Sequence, residues 1–458
     1  MTDERQFTMQ DQEAFAVLSG DRNPLHMDAV FARRTHAGTP VVHGMHALIW
    51  ALDEIARTGA SLSEGDQLDV QFRRFVPVGT PAGIRQPKPL HAEVWVDGAA
   101  AITLSLRVGA HQSRSPDLME LPEIHWRDEP QDLSFAQAAA AYGRIRPVAE
   151  PEAFRAMAPW LCAAIGARRV AALATLSNIV GMLCPGLHSV FREAHIRFDR
   201  DALDSAGIGF RVSTTDDRFQ VIRLEVNGEG ISGTVVAMMR PAPVEAPSAA
   251  SLMRHVHPDE FRGSSALVIG GSRGLGAMTA KLLAVGGARL TVTYAQGKAE
   301  AETLAAEIGC DVLRFDALAP HATELPPASH LYYFATPHIS RQSVAVLNPT
   351  IYDEFEQYYV HAFHAICVRL SAASPLSAFY PSSVFVAERP KGMTEYAMAK
   401  AAGEILCADM QRSIRGLRII VARLPRMLTD QTATSVQTGF EDPVAVMLPH
   451  IRQVQSLK

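Results

Sequence analysis

From His43 to Ala56 the chain reads HGMHALIWALDEIA. Met45, Ala47, Leu48, Ile49, Trp50, Ala51, Leu52 and Ile55 cover almost the whole circumference of a helix. A helix apolar nearly all round must be enclosed on most sides. Strand-like segments follow at 68–75, 92–96 and 101–108. A central helix wrapped by an antiparallel sheet satisfies both features.

The same order returns further on. Residues 170–182, VAALATLSNIVGM, read as a second apolar helix closed by Pro185-Gly186. Strand signals follow at 190–198, 209–214, 221–226 and 231–239. We read this part as a structural duplicate with diverged sequence. The segment 241–262, opening PAPVEAPSAAS, reads as a linker. A weaker seam at 111–150 holds several Xaa-Pro steps around a short helical run, 135–142. After the linker the style changes. An apolar strand, 266–269, leads into a glycine-rich turn and a helix, 277–285, that Gly286-Gly287 end. Strands at 290–294, 312–315, 331–334, 377–380 and 417–422 alternate with helices, which argues a parallel doubly wound sheet. The expected units are 1–125, 140–240 and 263–458.

The chain has 458 residues, enough for about three folding units. Lys plus Arg total 43 and Asp plus Glu 48, a net charge of -5. Up to residue 262 there are 26 basic and 32 acidic residues, and beyond it 17 and 16. Neither part is basic enough for a nucleic-acid binder. The five cysteines, Cys162, Cys184, Cys310, Cys367 and Cys407, form no CxxC pair, which argues against a disulfide framework or zinc site and fits a reducing cytoplasm. The start lacks a signal-peptide pattern and no apolar run spans a membrane.

The segment 19–28, SGDRNPLHMD, places Asp21, Asn23, His26 and Asp28 on one proline-braced loop. An Asp and a His this close can work as a general acid/base pair. Downstream, His43-Gly44-Met45 opens the apolar helix, whose free N–H groups could hold a carbonyl oxygen that gains negative charge. The alternative is a polar turn in which Asp and Asn cap and His26 bonds to backbone. The run FAVLSGDRNPLHMD, the following Phe31-Ala32, and Val41-Val42-His43-Gly44-Met45 resemble the signature of the MaoC-like (R)-specific enoyl-CoA hydratases over about 1–110. The resemblance implies a hot-dog fold and makes the second unit, 140–240, a degenerate hot-dog half. It implies that Asp21 and His26 activate water, that Gly44 gives the oxyanion N–H, and that Ser19 and Asn23 shape the loop. The second half either helps enclose the acyl chain or merely replaces a second subunit. His26, His36, His43 and His46 lack the Glu of an HExxH set, and no metal is expected.

Behind the strand at 266–269 stands GGSRGLG, with Gly270, Ser272, Arg273, Gly274, Leu275 and Gly276. Its glycines permit a tight turn and close approach to phosphate before a helix N-terminus. The spacing Gly-x-x-x-Gly-x-Gly resembles that of the short-chain dehydrogenases/reductases, with Ile269 in place of the usual Thr. The second strand ends Tyr294-Ala295-Gln296 without an acid for a ribose hydroxyl. Arg273 and Lys298 could instead meet a 2′-phosphate, which favours NADP over NAD. Asp316 matches the family position that touches adenine, or is a strand-end turn residue. Tyr396 and Lys400, one helical turn apart, and Ser383 upstream match the reductase active site. There a nearby ammonium would lower the phenol's pKa. Leu424-Pro425-Arg426-Met427-Leu428-Thr429 resembles the family's cofactor loop, with Thr429 at its Thr. Ala335 falls where that family has Asn-Asn-Ala-Gly, here Phe334-Ala335-Thr336-Pro337. The Asn of the next helix falls at His361.

Both resemblances concern the beta-carbon of acyl thioesters. The expectation is a double hot-dog followed by a Rossmann-like domain. It would be a cytoplasmic bifunctional enzyme, a 3-hydroxyacyl dehydratase/enoyl hydratase with an NADPH-dependent 3-oxoacyl reductase. It would act on acyl-CoA or acyl-carrier-protein thioesters and form a homo-oligomer by analogy with both families. Alternatives are an active hydratase with a nucleotide-binding scaffold, or a non-catalytic acyl-binding module.

Overall fold

The apolar helix of 43–56 is enclosed, as its composition requires. In a computed structural model it spans Gly44–Arg57, and every side chain from Met45 to Asp53 is buried. The structure describes residues 4–59, 63, 65–88, 90–109, 118, 120–199, 207–339, 346–430, 432 and 439–457. It forms two units, one spanning Met1–Ala242 and the other beginning at Pro243.

The first unit holds one sheet. Its strands are β1 (Glu4–Gln6), β2 (Gln67–Phe72), β3 (Pro81–Lys88), β4 (His91–Val96), β5 (Ala99–Arg107), β6 (Tyr142–Ile145), β7 (Ser189–Phe198), β8 (Ile208–Asp216), β9 (Val221–Gly228) and β10 (Ile231–Met239). The order is β1-β3-β4-β5-β2-β7-β10-β9-β8-β6, antiparallel throughout. The β2–β7 pair joins the two halves, with Leu68 opposite Ile196 and Val70 opposite Ala194. All four are buried. Burial alternates along β4 and β9, so one face of the sheet covers the core and the other faces away.

The second apolar helix, Ala167–Asn178, lies against the first, and its chain continues as a wide turn, Ile179–Leu183. Arg169 enters this core because its donors are spent on the carbonyls of Ile165 (2.8 Å), Gly230 (3.2 Å) and Asp199 (2.6 Å). Two differences from the sequence reading stand out. Residues 135–142 are a helix only over Phe135–Ala139, and Tyr142 begins the edge strand β6. The strand β3 escapes its sequence because PAGIRQPK carries two prolines. Pro81 stands at its start and Pro87 in a register shift, where missing N–H donors cost least.

The second unit holds β11 (Ser265–Ile269), β12 (Arg289–Tyr294), β13 (Asp311–Arg314), β14 (His330–Tyr333), β15 (Leu376–Ser383) and β16 (Leu417–Leu424). They form a parallel sheet ordered β13-β12-β11-β14-β15-β16. The order reverses direction between β11 and β14, where open α/β sheets bind ligands. Of the expected linker 241–262, only the first part is irregular. Leu252, Val256 and Phe261 are buried in this unit's core, where Phe261 fills the space a side chain on Gly286 would need. The C-terminal helix Pro443–Gln455, which no sequence pattern explained, buries Val444, Met447, Leu448, Ile451 and Val454 in the same core.

Among the described residues no single helix is long and apolar enough to cross a membrane. One bent pair, Pro159–Ile165 with Ala167–Leu183, passes by composition, and its second member lines the core.

His46 gives this fold a measurable pH dependence. It is 2% exposed, stacked on Phe15 at 4.8 Å, and its Nδ1 has no hydrogen-bond partner. Burial pushes its pKa down to about 3 from 6.5. The unfolded chain therefore binds a proton below pH 6.5 that the folded chain refuses, and stability falls as pH drops from 6.5 towards 3. In denaturant titrations His46→Phe should remove up to about 1.4 kcal/mol per pH unit of that slope. Above pH 7 the wild-type and variant curves should run parallel.

Candidate active sites

The loop after the helix Met9–Ser19 turns on Gly20, whose φ of 75° is left-handed. Ser19 ends the helix by donating to Phe15 O (2.7 Å) and accepts the Asp21 N–H (3.1 Å). Asn23 caps the one-turn helix Pro24–Met27 through Leu25 N–H (3.1 Å). Its amide donates to Gly181 O (2.9 Å), Gly186 O (3.2 Å) and Leu187 O (3.3 Å). Asn23 thus both caps a helix and bonds to the second half, and Ser19 braces the turn at Gly20.

Asp21 is 2% exposed. One carboxylate oxygen accepts the Asn23 N–H (3.1 Å) and the other accepts the Ser177 hydroxyl (2.6 Å). Burial raises its pKa, against the pull of His26, Ser177 and Asn23. His26 is half-buried and meets Val41 O through Nδ1 (2.7 Å). A carbonyl only accepts, so Nδ1 carries the hydrogen and Nε2 keeps its lone pair. Burial lowers its pKa, opposed by Asp21. The two shifts have one cause: burial disfavours the charged form of each group.

His43 has another task. Its ring stacks on His26 at 3.9 Å, and its nitrogens face Gln12 Oε1 (2.9 Å) and Asp21 O (3.0 Å). Donor atoms of Asp21, His26 and His43 lie within 4.8 Å of one another. With both His43 nitrogens turned to protein carbonyl oxygens, this set is a poor ion cage. Gly44 begins the helix beside them, where no side chain caps the first N–H groups. They remain available to an oxyanion. A Cβ on Gly44 would meet Phe72 at 3.0 Å, so the small residue keeps this end open.

The second half supplies residues that no motif reading named. Besides Ser177, Asn178 donates to Gly20 O (2.7 Å), and a side chain on Gly181 would overlap the Asp21 carboxylate. The second half therefore contacts the loop directly. The available signal was chemical: Ser177 and Asn178 are polar residues at the end of the mostly apolar run 170–178, and buried polar residues call for partners.

In the second unit Gly270 (φ 71°) sits so close to Ala335 that a Cβ would lie 2.8 Å from its nitrogen. A Cβ on Gly276 would overlap Gly270 O. The turn is tied to β12 by bonds from Gly270 N–H to Thr293 Oγ1 and from Gly271 N–H to Thr293 O, both 3.1 Å. The helix begins at Gly274 (φ 56°), not at residue 277, so Leu275 and Gly276 stand in its first turn. Arg273 is its N-cap residue and makes no side-chain cap, leaving the first N–H groups to a ligand. A cradle of this form fits a dinucleotide diphosphate.

Four residues expected at the cofactor already have partners within the protein. Arg273 pairs with the buried Asp430 at 3.3 Å, so a carboxylate already holds it. Lys298 lies on the surface 3.5 Å from Glu302. Asp316 is exposed and accepts the Leu318 N–H (2.9 Å), the turn role held open for it. Thr429 is bonded to Thr432 through N–H (2.9 Å) and hydroxyl (3.0 Å), close to Asp430.

Tyr396 and Lys400 share the helix Thr394–Ser413, and Ser383 ends β15. Ser383 bonds to the Tyr396 hydroxyl, which lowers its pKa, but burial dominates and pushes it up to about 12. Lys400 does not lower the phenol's pKa as expected. Its ammonium donates to Pro381 O (2.7 Å) and lies 3.6 Å from the Tyr359 ring centre, against 5.8 Å for Tyr396. Burial brings Lys400 down to about 7. His361, expected at the family's Asn, is exposed, and the residue of that helix facing Lys400 is Tyr359.

A comparison with family models places the first site. Residues 1–98 match the MaoC like domain. Solved structures similar to this chain include short-chain dehydrogenases. BdcA in complex with NADPH is 22% identical, covering 43% of this chain and 91% of that one, with a TM-score of 0.37. The oxidoreductase yciK from E. coli is 18% identical, covering 46% and 93%, with a TM-score of 0.37. A short-chain dehydrogenase from Burkholderia cenocepacia J2315 in complex with NADP is 22% identical, covering 44% and 95%, with a TM-score of 0.37. No curated protein matches the chain. The MaoC-like domain carries Asp21, His26 and Gly44, while Ser177 and Asn178 lie beyond it. Residue roles in the second unit rest on its own geometry.

Lys400 offers a direct check. With ¹³C-labelled lysine, its Cε resonance should titrate near pH 7, more than two units below ordinary lysines. Titration near pH 10 would mean that water reaches the ammonium.

Proposed function

We propose that the first unit is a double hot-dog that adds water to, or removes it from, the beta-carbon of an acyl thioester. The observation that carries this is the buried Asp21–His26 pair beside an uncapped helix N-terminus. In the hydration direction His26 Nε2 takes a proton from water as the water oxygen bonds to the beta-carbon. The electron pair moves onto the thioester oxygen, held by the N–H groups at Gly44. Protonated Asp21 then gives its proton to the alpha-carbon, and the His26 proton resets the carboxyl group. Both pKa shifts favour these starting forms. General acid/base groups of this kind contribute about 10²- to 10⁴-fold each.

The second unit is proposed as an NADPH-dependent 3-oxoacyl reductase. The nucleotide would rest on Gly270, Ser272, Gly274, Leu275, Gly276 and Ala335, near Thr429, and would supply hydride to the beta-carbon. Tyr396, neutral at pH 7, gives its proton to the resulting oxygen, and Ser383 orients it. Lys400, with a pKa near 7, replaces that proton from solvent. The Arg273–Asp430 pair must open or share Arg273 with a 2′-phosphate, so NADP preference follows from Arg273 only with Asp430 displaced.

A second reading keeps only the hydratase active. It is favoured by the placement of the Lys400 ammonium over the Tyr359 ring, 3.6 Å from its centre against 5.8 Å for the Tyr396 ring.

Single substitutions separate the sites. Asp21→Asn should cut hydration of crotonyl-CoA by about 100-fold or more and leave acetoacetyl-CoA reduction within about twofold. Tyr396→Phe should do the reverse. Equal loss of both activities in either variant would sink the two-site account, and wild-type hydration without reduction would select the second reading.

A further inference from the structure

Arg240, the residue after β10, is 7% exposed. Its Nη2 donates to Leu187 O at 2.7 Å, but Nε and Nη1 have no partner although both are buried. No carboxylate lies within ion-pair distance of it among the described residues. Arg169, the other buried arginine of this unit, is held by three carbonyls. A buried guanidinium with free donors and no counter-charge is costly unless something supplies the charge.

Its surroundings belong to the hydratase centre. Leu187 O also accepts the Asn23 amide at 3.3 Å, so Arg240 and the catalytic loop share one carbonyl. The guanidinium lies over the Phe31 ring at 5.2 Å, five residues after His26. Its charge is near enough to depress His26. The Arg240 N–H bonds to His188 O (2.8 Å), and His188 Nδ1 is also buried without a partner. The His188 Nε2 is paired with Asp132 at 3.2 Å, an acid that is itself exposed.

We propose that Arg240, assisted by His188, is an anion subsite of the hydratase centre and takes a carboxylate borne by the acyl chain of the substrate. Nη2 has two hydrogens and spends one on Leu187, so Nη1 and Nη2 carry the donors for both oxygens of a carboxylate, which Nη1 meets once the side chain shifts to uncover it. The anion belongs to the acyl chain because Arg240 shares Leu187 O with Asn23 of the catalytic loop and lies over Phe31, five residues from His26, which works at the beta-carbon. The phosphate of a pantetheine arm is many bonds away, beyond the thioester. This inference rests on the hydratase reading and names the class of substrate that this site prefers.

The test uses two matched pairs, trans-2-pentenoyl-CoA with glutaconyl-CoA and crotonyl-CoA with fumaryl-CoA, in which a carboxylate replaces a methyl group. The full chain should hydrate the carboxylated member of at least one pair with the higher kcat/KM. Arg240→Met should lower that value by about 10- to 100-fold and leave the methyl member within about threefold. Arg240→Lys, which keeps the charge, should retain part of the preference and serves if the Met variant does not fold. An equal fall on both members would make Arg240 a strut for the loop and overturn the proposal. So would hydration of the methyl members alone by wild type. A fall on pentenoyl-CoA that is absent on the pentenoyl thioester of N-acetylcysteamine would assign Arg240 to the phosphate instead. Wild type that hydrates none of the four removes the hydratase reading itself.

Discussion

The hydrogen bond from Ser177 to Asp21, 2.6 Å long, joins residues 156 positions apart and holds the first site together. A ten-residue polar loop cannot bury a carboxylate by itself. It needs donors brought to it in a low-dielectric place, and the second apolar helix brings them. Asn178 bonds to Gly20 O, Asn23 bonds to Gly181 O, and Gly181 leaves room for the carboxylate. That helix stands there because β2 and β7 pair and make one sheet of the two halves. The second half is therefore part of the candidate site.

Burial then sets the chemistry. In water an Asp and a His at neutral pH form an ion pair. Here desolvation moves Asp21 up and His26 down, each towards its uncharged form. The same force acts differently in the second unit. It lowers Lys400 to about 7 and raises Tyr396 to about 12, and the aromatic face of Tyr359 holds the ammonium between them.

Much of this was legible in the sequence because it is written in local patterns. HGMHALIWALDEIA announces an enclosed helix, SGDRNPLHMD a braced polar loop, and GGSRGLG a phosphate turn, each within a few residues. What was hidden depends on distant pairing. Nothing near Asp21 points to Ser177, and nothing near Arg273 points to Asp430. The strand β3 was masked by its prolines, and part of the apparent linker was masked by its composition although Phe261 is a core residue. Arg240 reads as an ordinary surface arginine until the burial of its guanidinium is seen.

The most direct test mixes the whole protein with NADPH and acetoacetyl-CoA, follows NADPH loss, and identifies the thioesters by mass. The account predicts NADPH oxidation with 3-hydroxybutyryl-CoA and crotonyl-CoA appearing together, reduction at Tyr396 followed by dehydration at Asp21 and His26. Unchanged NADPH, together with crotonyl-CoA left unhydrated in a parallel reaction, would contradict it.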